Sequence, residues 1–186
     1  MAKIKINFDK KSIQEAIKQL KDIKKKMQKD VPSLFVTRCL EWIRDRANEY
    51  LSNIDMSGAV ISNIQSSWEI QPITNNSMKL VNSSNKAVFV EFGVGKVGQS
   101  QSHPNAGVEN YEYNVESGKK DKYGRWRFRV NESVGVDLIV GNYTQDGETI
   151  TTMGSPSTLY LYNAGMDLMS TGVYRDIWNK VLNDNI

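Results

Sequence analysis

Gly93, Gly95 and Gly98 stand in the spacing GxGxxG inside AVFVEFGVGKVG, residues 87–98. Glycines so spaced let backbone amides approach a dinucleotide pyrophosphate, provided a strand leads in and a helix N-terminus leads out. Ala87–Phe92 is apolar and rich in Val and Phe, which predicts the strand. Beyond Gly98, QSQSHPNAGVEN has no apolar period of 3.6 residues and places Pro104 and Gly107 where the helix should run. The expectation is therefore a glycine-relaxed loop leaving a strand end. A kinase-type glycine loop fails as well, because no VAIK-, HRD- or DFG-like segment follows.

Other chemistry is sparse. One His and one Cys, far apart in sequence, do not make a zinc or redox cluster. Cys39 lies between Arg38 and Leu40 in a helical pattern, so a packed thiol is expected rather than a nucleophile, and an intrachain disulfide is excluded. His103, followed by Pro104 in a polar loop, needs a nucleophile and an orienting carboxylate delivered from elsewhere to act as a base. Glu91 is the one acid in an otherwise apolar predicted strand. It reads either as a strand-end residue facing water or as an ion-pair partner at a subunit contact, where a charge fixes register. No active site assembles from these residues, and the reading is a protein without catalytic, metal or cofactor residues.

At 186 residues, with 39% hydrophobic residues, four Trp and eight Tyr, the chain can bury one sizeable core, and a single domain over 1–186 is expected. No apolar run reaches the roughly 18 to 20 residues of a membrane span, and the N-terminus lacks a signal-type apolar segment. A cytoplasmic origin without a membrane partner follows as an expectation. The charge is uneven: residues 1–30 hold ten Lys against four acids, +6, so the other 156 carry −3 of the +3 total. Lys18, Lys21, Lys24, Lys25, Lys26 and Lys29 could attract phosphate backbone by counterion release. Without Arg forks or interleaved aromatics, a solvated helix face is the simpler reading.

The elements that must position these residues begin with strand-like alternation at Lys3–Phe8. Ile13, Ile17, Leu20, Ile23 and Met27 then form one helical stripe, with the lysines on the opposite arc. Asp30 and Pro32 mark a break, and Val36, Leu40, Ile43, Ala47 and Tyr50 define a second helix. Ser57 is placed to cap a short helix carrying Val60, Ile61 and Ile64, before a strand through Trp68 and Ile70. The turn clusters NNS and NSSN delimit a strand at Met78–Val81 and release the one at Ala87–Phe92. Residues 95–125 form a long polar loop or arm, with alternation only at Tyr111, Tyr113 and Val115. Arg125–Val130, Gly135–Val140 and Glu148–Thr152 read as strands, the first placing Trp126 and Phe128 opposite Arg127 and Arg129. A C-terminal helix through Leu161, Ala164, Leu168, Ile177 and Val181 is weakened by Gly165 and Gly172.

Three segments together resemble a known family. AVFVEFGVG, a later HP and the distal GSPSTLYLYNAGMDL are similar to the tailed-bacteriophage neck and tail-completion proteins. Ala87, Val90, Glu91, Phe92, Gly93 and Gly95 match the family's first motif, and His103 with Pro104 match its second. Gly154, Pro156, Leu161, Tyr162 and Ala164 fall in register with the third. Leu159 stands where the family has Pro, and Tyr160 where it has Phe.

The resemblance implies an α+β fold: an antiparallel β-sheet flanked by two N-terminal helices and one C-terminal helix, with the arm at about 95–125. It implies a non-enzymatic virion protein, a ring typically of six copies at the head-proximal end of the tail, made in the host cytoplasm before assembly. Its partners are then further copies of itself, the major tail tube protein and a head-completion or connector protein. Glu91, Phe92, Gly93, Gly95, His103, Pro104, Trp126, Arg127, Arg129 and Tyr162 are the candidate interface residues, and the lysine face is a candidate contact with genomic DNA in the channel. Tail terminator and head-closure roles in the same neck, and a free-standing DNA-binding module, are the alternatives.

Overall fold

The structure, a computed structural model, describes residues 10–74, 77–107, 126–129, 143–146, 149–152 and 154–185. The fold is α+β. Helices α1 (Lys10–Ser52) and α2 (Gly58–Gln65) lead into strands β1 (Trp68–Thr74) and β2 (Ser77–Asn82), which pair as a two-stranded antiparallel sheet. Two short helices follow, α3 (Ala87–Phe92) and α4 (Gly95–Ser100). Strands β3 (Trp126–Arg129), β4 (Tyr143–Asp146) and β5 (Thr149–Thr152) form an antiparallel sheet in the order β3-β5-β4. Helices α5 (Tyr160–Ser170) and α6 (Val173–Asn185) end the chain.

Several expectations are met in place: α2, β1, β2, β3 and β5 lie where the sequence puts them. Others are corrected. The two N-terminal helices are one, with Pro32 inside it. Proline removes a single hydrogen bond and crowds the preceding turn, and packing anchors the helix on both sides of it. Val31 and Cys39 are buried, and Phe35 meets Trp178 edge-on at 5.1 Å between ring centroids. Ala87–Phe92 is helix, not strand. Its buried residues are Ala87, Val90 and Glu91, an i, i+3, i+4 set that only a helix puts on one face. A six-residue run of Val and Phe carries too little periodicity to reveal this. Ser57 occupies the N-cap position of α2 without a side-chain cap bond, its carbonyl accepting from the amides of Val60 and Ile61 instead. The single C-terminal helix is interrupted at Gly172, whose φ of +75° ends α5 in a left-handed turn. Strand β4 lies between Val140 and Glu148, where the sequence led to no expected strand.

The first part of the predicted arm is ordered structure, α4 and a turn through Gly107. The strands expected at Lys3–Phe8 and Gly135–Val140, and the alternation at Tyr111–Val115, lie outside the described residues.

The chain divides into two compact units. One takes in the chain up to Ile43, Ile70–Val81 and the stretch from Met166. Among its buried side chains are Ala16, Val31, Cys39, Leu168 and Val181. Burial pushes the Cys39 thiol above its ordinary pKa, as a packed cysteine requires. The other unit holds Arg44–Glu69 and Asn82–Gly165, with Ala47, Leu51, Val60, Ile64, Ala87, Val90, Tyr160 and Ala164 inside. There Trp68 donates its indole N–H to Asn48 Oδ1 at 2.9 Å and meets the Tyr160 ring edge-on.

Candidate functional site

The second unit contains a joint between α3 and α5 that gathers residues of the AVFVEFGVG, HP and GSPSTLYLYNAGMDL segments. It begins with an accounting of helix ends. A six-residue helix leaves its last four carbonyls without intrahelical donors. In α3 each of the four is supplied: Gly93 N–H donates to Phe89 O, and both the amide and the hydroxyl of Thr158 donate to Val90 O. Leu159 N–H donates to Glu91 O, and the Ser157 hydroxyl to Phe92 O at 2.6 Å. Conversely, α5 begins with amides that need acceptors, and the Glu91 carboxylate provides them. Its Oε2 accepts from Leu161 N–H at 2.8 Å and its Oε1 from Tyr162 N–H at 2.9 Å. An anion at a helix N-terminus also meets the favourable end of the helix dipole. The turn leading into α5 thus caps α3, while Glu91 of α3 caps α5.

The approach is close enough to need glycine. Gly93 has φ +77°, and a Cβ there would lie 2.6 Å from both Ser155 O and Ser157 N. Leu159 also takes a left-handed conformation, φ +56°, immediately before α5. Proline is locked near φ −65° and has no N–H. A proline at 159 could neither take this conformation nor donate to Glu91 O.

His103 completes the joint. Its Nε2 lies 2.9 Å from Glu91 Oε1, and Asn105 N–H donates to its Nδ1 at 3.0 Å. The amide can only donate, which leaves the ring proton on Nε2 in the neutral form. Phe92 stacks on the imidazole, 4.2 Å between centroids at 28°, and Tyr162 approaches it edge-on at 5.4 Å. Glu91 and His103 are only 5% and 4% exposed. A pocket of about 390 Å³ opens beside them, walled by Val88, Phe92, Asn105, Leu161 and Tyr162 as well. The Tyr160 phenol, buried and within the field of the Glu91 carboxylate, is held well above its ordinary pKa.

Both ring nitrogens of His103 and both carboxylate oxygens of Glu91 take part in the joint. The Ser157 and Thr158 hydroxyls donate to α3 carbonyls. The arrangement fixes two helix ends against each other.

Of the residues singled out in the sequence, the structure brings together Glu91, Phe92, Gly93, His103 and Tyr162. Glu91 is neither strand-borne nor facing water, and its side-chain hydrogen-bond partner is His103 of the same chain. Gly95 opens α4, and Pro104 is exposed beside His103. Trp126, Arg127 and Arg129 lie on β3, paired with Thr152, Thr151 and Thr149 of β5. Lys18, Lys21, Lys24, Lys25, Lys26 and Lys29 are all exposed on α1, and Lys26 Nζ donates to Asn185 O at 3.3 Å. The glycine run lacks the leading strand of the dinucleotide fingerprint, since α3 stands there, while a six-residue helix does follow. Sequence reasoning missed Asn105, Ser157 and Thr158. Ser157 and Thr158, just ahead of an apolar helical run, carried a usable signal as helix-start residues.

Among the described residues no three or more His, Cys, Asp or Glu are grouped to hold a metal ion, and no helix is long and apolar enough to cross a membrane. Comparison with family models, curated proteins and solved structures finds no match to this chain.

Proposed function

We propose that this chain is a structural virion protein of a tailed phage or prophage, a subunit of a ring that joins the tail tube to the neck. The observation that carries the reading is the meeting of the three matched segments in one joint. Glu91 comes from the first, His103 from the second and Tyr162 from the third, across up to 71 residues of sequence. Three short strings matching by chance have no reason to touch.

A ring subunit also needs surface for its neighbours. On α1, Ile13, Ile17, Leu20 and Met27 remain 37 to 53% exposed, an apolar row suited to a subunit or partner contact. A closed ring uses such a row heterologously, against a different patch of the next copy. The exposed lysines on the same helix favour a second, compatible contact with DNA passing through the ring.

Incubating the purified protein with isolated tail tubes and imaging them by negative-stain electron microscopy tests the assignment. A ring capping one tube end is expected. Tubes with bare ends at saturating protein would refute the tail role, and binding to DNA alone would favour the free-standing module.

A further inference from the structure

We propose that Glu91 and His103 form a proton-responsive latch on the turn that runs from His103 to Ala106. The inference rests on the geometry of the joint and stands independently of the neck assignment. The neutral imidazole makes two bonds of opposite sense: Nε2–H donates to Glu91 Oε1 at 2.9 Å, while Nδ1 accepts from Asn105 N–H at 3.0 Å. The same turn is closed by Ala106 N–H donating to His103 O at 3.0 Å.

An added proton goes to Nδ1, the nitrogen that carries none in the neutral ring. The bond from Nε2 to the carboxylate then becomes charge-assisted and holds more firmly. At Nδ1 the opposite happens. The acceptor becomes a donor, and two N–H groups face each other at a ring that is 4% exposed. The Asn105 amide has to swing away, so the turn opens while the ring stays fastened to α3.

Several groups of the described residues face the pair. From α3 come the Glu91 carboxylate and the stacked Phe92 ring, and from α5 the Leu161 and Tyr162 amides and the Tyr162 ring edge. The Tyr160 phenol, with its raised pKa, keeps its proton throughout the acid and neutral range and adds no charge. His103 and Asn105 both wall the pocket, so opening the turn reshapes its rim without undoing the α3–α5 joint.

The chain has one histidine, so every imidazole resonance reports on this site. Long-range ¹H–¹⁵N NMR of the labelled protein reads the tautomer. Amide hydrogen exchange, corrected for intrinsic pH dependence, reads the turn across the titration of the ring. The expected result is the Nε2–H tautomer near neutral pH. As the ring gains its proton, Asn105 should lose about tenfold or more in protection, with Leu161 and Tyr162 unchanged. An Nδ1–H tautomer, or an Asn105 amide indifferent to the ring's charge, would overturn the latch. So would loss of Leu161 and Tyr162 protection in step with Asn105, or unfolding before the ring titrates.

Discussion

Glu91 and His103 lie 12 residues apart in sequence and 2.9 Å apart in space, and the same carboxylate caps the helix that begins at Tyr160. One side chain thus holds a buried imidazole and two backbone amides. Removing it strands three donors at once.

Glu91→Ala is therefore expected to lower stability by about 3 kcal/mol or more, the cost of breaking a buried paired group. Glu91→Gln keeps one acceptor oxygen for three donors and should lose about 2 kcal/mol. Urea midpoints for the two variants check the order. Changes below about 0.5 kcal/mol in both would mean that the carboxylate is not the cap.

At Gly93 the added methyl of Gly93→Ala meets the backbone of residues 155–157, and the positive φ adds strain. Together these should cost on the order of 3 kcal/mol. Thermal unfolding reads this directly, and a melting temperature within about 2 °C of the unmodified protein would contradict the close approach.

The raised pKa of Tyr160 gives a pH dependence with a defined sign. Below about pH 10, folded and unfolded chains both keep the phenol proton, so its contribution is fully present. Above that, the unfolded chain releases the proton while the folded chain retains it, and stability falls with rising pH by up to about 1.4 kcal/mol per unit. Tyr160→Phe should abolish this part of the alkaline loss. Its cost at neutral pH should be small, since the hydroxyl lies 3.5 Å from Ala87 O, at the edge of hydrogen bonding. Equal alkaline slopes in the two proteins would contradict the assignment.

The fold class and most elements were legible because Trp68–Ile70, Met78–Val81 and Trp126–Arg129 carry strand alternation bounded by turn residues. Pro32 and the run Ala87–Phe92 misled for one physical reason: local propensity was overridden by packing, at Val31 and Phe35 in one case and at Val90 and Glu91 in the other. The site was legible only as oddities, a lone acid in an apolar run and a lone histidine. Nothing in the local pattern couples Glu91 to His103, or either of them to Leu161, because that pairing is created when α5 folds back on α3.

The exposed row on α1 separates folding from assembly. Ile17→Asp together with Leu20→Asp should leave stability within about 1 kcal/mol, as exposed positions do, while abolishing association. Destabilisation well beyond that would assign the row to the fold of the subunit.

The ring itself is tested most directly by the mass of the purified protein in solution, measured by light scattering alone and with a tail tube protein. A species of about 127 kDa, six chains of 21.1 kDa, in either condition is the predicted result. A 21.1 kDa monomer in both would contradict it.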